Sequence, residues 1–246
     1  MKEIYNQIKE NKRKGKKLLS ILIDPDKQNE DILLEIIEKS KSANVDLFFI
    51  GGSLLSKNSI SFCITIIKQN CKIPVLLFPG NAMQVNDKAD GVLFLSLISG
   101  RNPELLIGNH VITAPFLKKS GIEVIPTGYM LIDSGGPTSV SYMSNTNPIP
   151  YEKNDIAVCT AIAGEMLGLK IIYMDAGSGA KKTVSKKMIQ SVKTNINIPL
   201  IVGGGINSAK KAKEKCQAGA DIIVIGNAVE KDNNLIQEIS EAIHDL

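Results

Sequence analysis

Eight short runs of leucine and β-branched residues recur along the 246-residue chain, and stretches with helical spacing of apolar residues lie between them. That alternation predicts repeated strand–helix units and therefore a parallel sheet. The runs are Leu18 to Asp24, Asp46 to Gly51, Pro74 to Phe78, Gly91 to Ser96, Glu123 to Leu131, Leu169 to Asp175, Pro199 to Gly203 and Asp221 to Gly226. Helices fit the gaps. Glu30 to Ser42 carries Ile32, Leu33, Ile36 and Ile37 at helical spacing, and Asn207 to Ala218 stops at Gly219, a helix-ending residue. Helix also fits Leu54 to Gln69, Pro103 to Lys119, Glu152 to Leu167, Thr183 to Thr194 and Lys231 to Ile243, with residues 1 to 14 adding one before the first strand.

Eight such units predict an α/β fold, a closed TIM (β/α)₈ barrel, and no GxGxxG follows the first strand to favour an open doubly wound sheet. With 43% hydrophobic residues, 1–246 reads as a single barrel domain. Between the third and fourth strands only Pro79 to Asp90 is available, so the third outer helix is expected to be missing or replaced. Asp133 to Tyr151 is far longer than a usual strand-to-helix loop and rich in Gly, Pro, Ser and Asn. A lid and a merely mobile loop both fit it.

Composition excludes several classes. No run of about 18 apolar residues is present, and the N-terminus lacks the apolar segment of a secretory signal. The expectation is a soluble, cytoplasmic protein with at most peripheral membrane contact. A net charge of +4 and 4% aromatic residues give no footprint for nucleic acid. The basic run Lys12 to Lys17 reads as a solvated helix end, and Lys181-Lys182 and Lys210-Lys211 read as helix surface. Cys63, Cys71, Cys159 and Cys216 match no zinc or redox spacing and are expected to be buried, reduced thiols. His110 and His244 are the only histidines, which argues against histidine-based nucleophilic catalysis.

In a barrel of this kind chemistry stands at the C-terminal ends of the strands. The last three ends are glycine-rich: Asp175-Ala176-Gly177-Ser178-Gly179, Gly203-Gly204-Gly205-Ile206 and Gly226-Asn227-Ala228-Val229. Glycines let backbone N–H groups approach an anion closely, so the three turns together predict a phosphate site, whereas tight turns alone would be the plain alternative. Ser178 would add a hydroxyl contact or cap the next helix. Asp24 and Ser53 end the first two strands; a carboxylate beside a hydroxyl suits Mg²⁺, and a capping turn at DPDK fits equally well. Asp175 is open between catalyst and cap. The third and fourth strand ends, around Phe78 and Phe94, are mixed apolar and polar and more often mean packing than chemistry, although an apolar groove there would suit a hydrocarbon tail.

Nine stretches in order carry a resemblance over about residues 15 to 230: LIDPDK (22–27), FIGGS (49–53), LLFPGN (76–81), IPTGYMLID (125–133), SYMSNTNPIP (141–150), TAIAGEMLG (160–168), YMDAGSGA (173–180), VGGGI (202–206) and IGNAVE (225–230). In them the chain resembles the geranylgeranylglyceryl phosphate synthase family, which includes bacterial heptaprenylglyceryl phosphate synthases, in its AGSGA-type branch. The resemblance implies a TIM barrel lacking its third helix. It also implies a Mg²⁺-dependent prenyltransferase of ether phospholipid biosynthesis, joining the C3 hydroxyl of sn-glycerol 1-phosphate to C1 of a polyprenyl diphosphate, commonly geranylgeranyl. Asp24 and Ser53 match the metal positions. Tyr173, Met174, Asp175, Ala176, Gly177, Ser178 and Gly179, with Gly204, Gly205, Gly226 and Asn227, match the glycerol phosphate site, Asp175 and Tyr173 being the catalytic pair. A homo-oligomer is implied as well. Two departures stand out: the family usually has glutamate where Asp175 stands, and threonine where Ser53 stands. Rival readings are another phosphate-binding barrel enzyme, such as a sugar-phosphate isomerase or lyase, and a non-catalytic phosphate-ligand sensor.

Overall fold

The computed structural model describes residues 3–57 and 59–246. In chain order, α1 (Ile4–Arg13) precedes β1 (Leu18–Ile23), α2 (Glu30–Ser42), β2 (Leu47–Ile50), α3 (Ile60–Asn70), β3 (Val75–Leu77) and β4 (Gly91–Leu97). There follow α4 (Asn109–Ser120), β5 (Glu123–Leu131), α5 (Ser139–Ser144), α6 (Asn154–Met166), β6 (Ile171–Asp175) and α7 (Lys186–Asn195). The chain then runs through β7 (Leu200–Gly203), α8 (Ala209–Gln217), β8 (Ile222–Ile225), α9 (Asn227–Lys231) and α10 (Leu235–His244). All eight strands are parallel and β8 pairs with β1, closing the barrel.

Where a third outer helix would lie, only a 3₁₀ turn at Ala82–Gln84 connects β3 to β4, as the short gap predicted. Alternation along each strand divides the core in two. Inward residues such as Leu47, Phe49, Leu76, Leu93, Ile125, Tyr129, Tyr173, Ile201 and Val224 fill the barrel, and Ile4 and Ile8 of α1 join them. Outward residues such as Ile21, Ile50, Met174 and Val202 pack beneath the helices.

Carboxylates stitch the N-terminal ends of the strands together. Asp46, Asp90 and Asp221, each just before its own strand, accept the N–H of Leu19, Val75 and Leu200 at 2.8, 2.9 and 2.8 Å. Glu123 accepts the N–H groups of Ile4 and Tyr5, fixing α1. On the same side Asp46, His244 and Ser240 stand in line, with His244 Nε2 3.0 Å from Asp46 Oδ2 and Nδ1 3.0 Å from Ser240 Oγ. Ser240 is only 1% exposed and its hydroxyl donates to the Ala43 carbonyl, so the trio anchors α10 rather than forming a nucleophile.

Several element boundaries differ from the sequence reading. The helix read from Leu54 begins at Ile60, because the Asp26 carboxylate takes the N–H groups of Ser56 and Lys57 and holds them out of a helix. Asn58 lies outside the described residues, as do Met1 and Lys2 of the N-terminal helix. Ser185 caps α7 by accepting the Met188 N–H, which leaves Lys181-Lys182 in the preceding loop, not on a helix. The last helix, read from Lys231, begins at Leu235 as α10, and α9 is an added short helix directly after β8. Cys159 is exposed on α6 and Cys71 half-buried, while Cys63 and Cys216 are buried; all four are free thiols. Among the described residues no helix is long and apolar enough to cross a membrane.

Candidate active site

The C-terminal strand ends open into a cavity of about 570 Å³ walled by Asp24, Ser53, Tyr173, Asp175, the glycines after β6 and β7, and Gly226 with Asn227. Four lysines stand on the same wall: Lys27, Lys181, Lys211 and Lys231. They supply positive charge that the glycine motifs alone did not reveal.

Asp175 sits at the inner end of β6, buried, and both its oxygens are engaged. The Gly177 N–H donates to Oδ1 at 2.8 Å, and the Tyr129 hydroxyl donates to Oδ2 at 2.6 Å. Asp175 is therefore a cap for its own turn and, at the same time, a carboxylate on the cavity wall. Burial raises its pKa above the usual carboxylate range, while the Tyr129 hydroxyl and the Gly177 N–H pull the other way without cancelling it. Burial, followed by the charge of Asp175, pushes the Tyr129 and Tyr173 hydroxyls well above the ordinary tyrosine value. Both phenols are thus proton carriers in their neutral form. Tyr129, missed in the sequence, pairs in register with Tyr173 across β5 and β6; their rings meet edge-on at 5.4 Å. Phe78 packs on both.

Three loops converge on the glycine-rich side of the cavity. Ser178 Oγ donates to Asn227 Oδ1 at 3.1 Å and lies 2.9 Å from Asn227 Nδ2, tying the β6 loop to the β8 loop. Gly204 has φ +83°, and a Cβ there would lie 2.6 Å from Asp175 Oδ1 and 2.7 Å from the backbone nitrogens of Ala176 and Gly177. Only glycine admits that approach. Met174 and Ala176, by contrast, do not line the cavity: their side chains belong to the layer under the helices, as the two-residue period of a strand requires.

On the β1 side of the cavity Asp24 caps the turn after the strand, its Oδ1 accepting the Asp26 N–H at 3.2 Å. Its Oδ2 is 3.0 Å from Lys27 Nζ, which also reaches Glu230 on α9 at 3.1 Å. Burial alone would lower the Lys27 pKa, but the hydrogen bonds and charges of Asp24 and Glu230 outweigh it and the net shift is upward. Ser53 follows β2 on the same wall. Asp26 carries no expected role, yet it binds Ser56 and Lys57 and thereby joins the loop after β2 to the turn that holds Asp24.

A second, apolar cavity of about 330 Å³ adjoins the first, sharing Gly52, Ser53, Phe78 and Val140 with it. Val92, Phe94, Leu95, Leu97, Leu105 and Leu117 supply its walls. A π-turn at Glu104–Gly108, running into α4, brings Leu105 and His110 to this cavity. Burial lowers the His110 pKa, which favours the neutral ring, packed edge-on against Phe94 at 4.3 Å. The long segment after β5 forms the capped helix α5, whose Thr138 and Ser141 bond reciprocally. Val140 of α5 reaches both cavities, so this segment lies where they meet.

Fold and site together define a (β/α)₈ barrel whose C-terminal face holds a glycine-lined polar cavity with an apolar annex. Residues 7–243 match the PcrB family, and the chain belongs to that family. A geranylgeranylglyceryl phosphate synthase of Chitinophaga pinensis is 55% identical, over 98% of this chain and 96% of the relative. One from Methanosphaera stadtmanae is 41% identical over 94% and 96%. The crystal structure of the Thermoplasma acidophilum (S)-3-O-geranylgeranylglyceryl phosphate synthase, in complex with sn-glycerol-1-phosphate, superposes with a TM-score of 0.94 at 30% identity, covering both chains fully.

Proposed function

We propose that the protein is a prenyltransferase that alkylates sn-glycerol 1-phosphate with a polyprenyl diphosphate, commonly geranylgeranyl, yielding the prenylglyceryl phosphate ether and pyrophosphate. The observation that carries this reading is the contact between a polar, glycine-lined cavity and an apolar one at Ser53, Phe78 and Val140. A sugar-phosphate isomerase has no use for the apolar half. A phosphate sensor has no use for a buried carboxylate held by a tyrosine.

The glycines after β6, β7 and β8, with Ser178 and Asn227, hold the phosphate of glycerol 1-phosphate, so that its free C3 hydroxyl lies near Asp175. Fixing both reactants in one site turns a bimolecular encounter into a positioned attack. The hydroxyl oxygen bonds to C1 as the allylic C–O bond breaks and pyrophosphate leaves. Asp175 takes the hydroxyl proton, while Tyr129 orients its carboxylate and Tyr173 borders the reacting groups. The apolar cavity receives the prenyl chain, and its walls keep water from the developing allylic cation.

Among the described residues no three His, Cys, Asp or Glu side chains are grouped to hold a metal. The donors that are present, the Asp24 carboxylate and the Ser53 hydroxyl, fit Mg²⁺, which binds through one or two protein oxygens with waters and substrate phosphates completing its shell. Bound there, Mg²⁺ would neutralise charge on the departing pyrophosphate.

The glycerol phosphate half is tested at Gly204. Because a Cβ there meets Asp175 Oδ1 at 2.6 Å, Gly204→Ala is expected to weaken sn-glycerol 1-phosphate binding by about tenfold or more, equivalent to roughly 1.4 kcal/mol of lost binding. Isothermal titration reads it. Unchanged affinity in a folded variant would move the phosphate elsewhere.

A further inference from the structure

Lys27 occupies the place a divalent cation would need. Its ammonium lies 3.0 Å from Asp24 Oδ2, and the other Asp24 oxygen already accepts the Asp26 N–H. On its far side Lys27 lies 3.1 Å from Glu230 Oε2 and 3.5 Å from Oε1. Among the described residues Glu230 makes no other ion pair. Lys27 is therefore suspended between a carboxylate that the proposed metal must take and one that nothing else claims.

An ammonium and a Mg²⁺ ion on one carboxylate oxygen repel each other strongly at such separations. Resting on the functional reading above, we propose that Lys27 is an exchangeable counter-ion. It neutralises Asp24 in the empty site, is handed to Glu230 as the cation arrives, and then donates to the incoming diphosphate. Glu230 is a positioning residue: it keeps the displaced ammonium at the cavity mouth instead of releasing it to solvent. Lys27 and Glu230 come from opposite ends of the chain, on the turn after β1 and on α9 after β8, and meet only because β8 pairs with β1.

Exchange of Lys27 should show opposite signs in two binding measurements. With Mn²⁺ alone, followed by electron paramagnetic resonance of the free ion, Lys27→Met should bind about threefold to fivefold tighter than wild type, the scale of one partly exposed ion pair. With Mn²⁺ saturating and inorganic pyrophosphate as the titrant, the same variant should bind about tenfold more weakly, having lost a charge-assisted donor. Lys231→Met, which removes a lysine on the same wall, should shift Mn²⁺ binding by less than about twofold, since Lys231 makes no ion pair with Asp24. Equal tightening in Lys231→Met, or a same-direction change in both Lys27→Met measurements, overturns the exchange. If Asp24→Asn abolishes Mn²⁺ binding but Lys27→Met does not tighten it, only this inference fails. Mn²⁺ binding that is unaffected by Asp24→Asn overturns both the inference and the metal assignment.

Discussion

Asp175→Asn should lower turnover by about a hundredfold or more, the usual worth of a positioned general base, while melting at a higher temperature than wild type at neutral pH. The two effects have one cause. Burial raises the folded-state pKa of Asp175 above its unfolded value. The stability this lends is fully present below the unfolded pKa and is lost as pH rises through the folded one. At pH above the unfolded-state pKa the wild type has therefore lost stability that asparagine, which does not titrate, keeps. The advantage of the variant should grow with pH across that window and vanish in acid below the ordinary carboxylate range. Rate follows the same proton: the acid limb of the wild-type pH profile should lie above the ordinary aspartate range and be absent from the variant's residual activity. Wild-type turnover in Asp175→Asn would leave Asp175 only its bond to the Gly177 N–H, a cap and nothing more.

The second large effect is expected at Asp24. Asp24→Asn keeps an acceptor for the Asp26 N–H and so should preserve the turn, yet it removes the charge that would hold a cation. Turnover should fall by about a thousandfold, since a Lewis-acid contribution to such a step is worth several kcal/mol. Binding of sn-glycerol 1-phosphate should change little, because its proposed cradle is built from the loops after β6 to β8, whereas Asp24 bonds within its own segment, to Asp26, Lys27 and Gln28. Full activity in Asp24→Asn would remove the metal from the mechanism.

The framework was legible because barrel strands are buried on both faces and read as unbroken apolar runs. Missing space between Pro79 and Asp90 foretold the lost helix, and the clustered glycines foretold where three loops would meet. Asp175 posed a choice between cap and catalyst; the fold supplies the cap, one oxygen on the Gly177 N–H and the other on the Tyr129 hydroxyl, and the catalytic role rests on the turnover of Asp175→Asn. Strand alternation by itself sends Met174 and Ala176 away from the cavity.

What stayed hidden depends on contacts made only by closure. Tyr129 sits 46 positions before Asp175 inside an apolar strand and shows no polar role until β5 pairs with β6. Glu230 and Lys27 are 203 positions apart, in the IGNAVE and DPDK stretches, and nothing in either stretch shows that they meet. The loop ahead of α3 looked helical because its composition permits helix; the Asp26 carboxylate decides otherwise by taking two of its backbone donors. The π-turn beside the apolar cavity is likewise invisible in the pattern of Pro103 to Lys119, which suits an ordinary helix.

The most direct test of the central claim is product formation. The purified protein is incubated with labelled sn-glycerol 1-phosphate, Mg²⁺ and a series of prenyl diphosphates of different length, and the organic extract is counted. The account predicts a labelled prenylglyceryl phosphate with at least one chain length, matched mole for mole by released pyrophosphate and lost in Asp24→Asn. Absence of labelled lipid with every chain length, from protein that still binds sn-glycerol 1-phosphate, would contradict it.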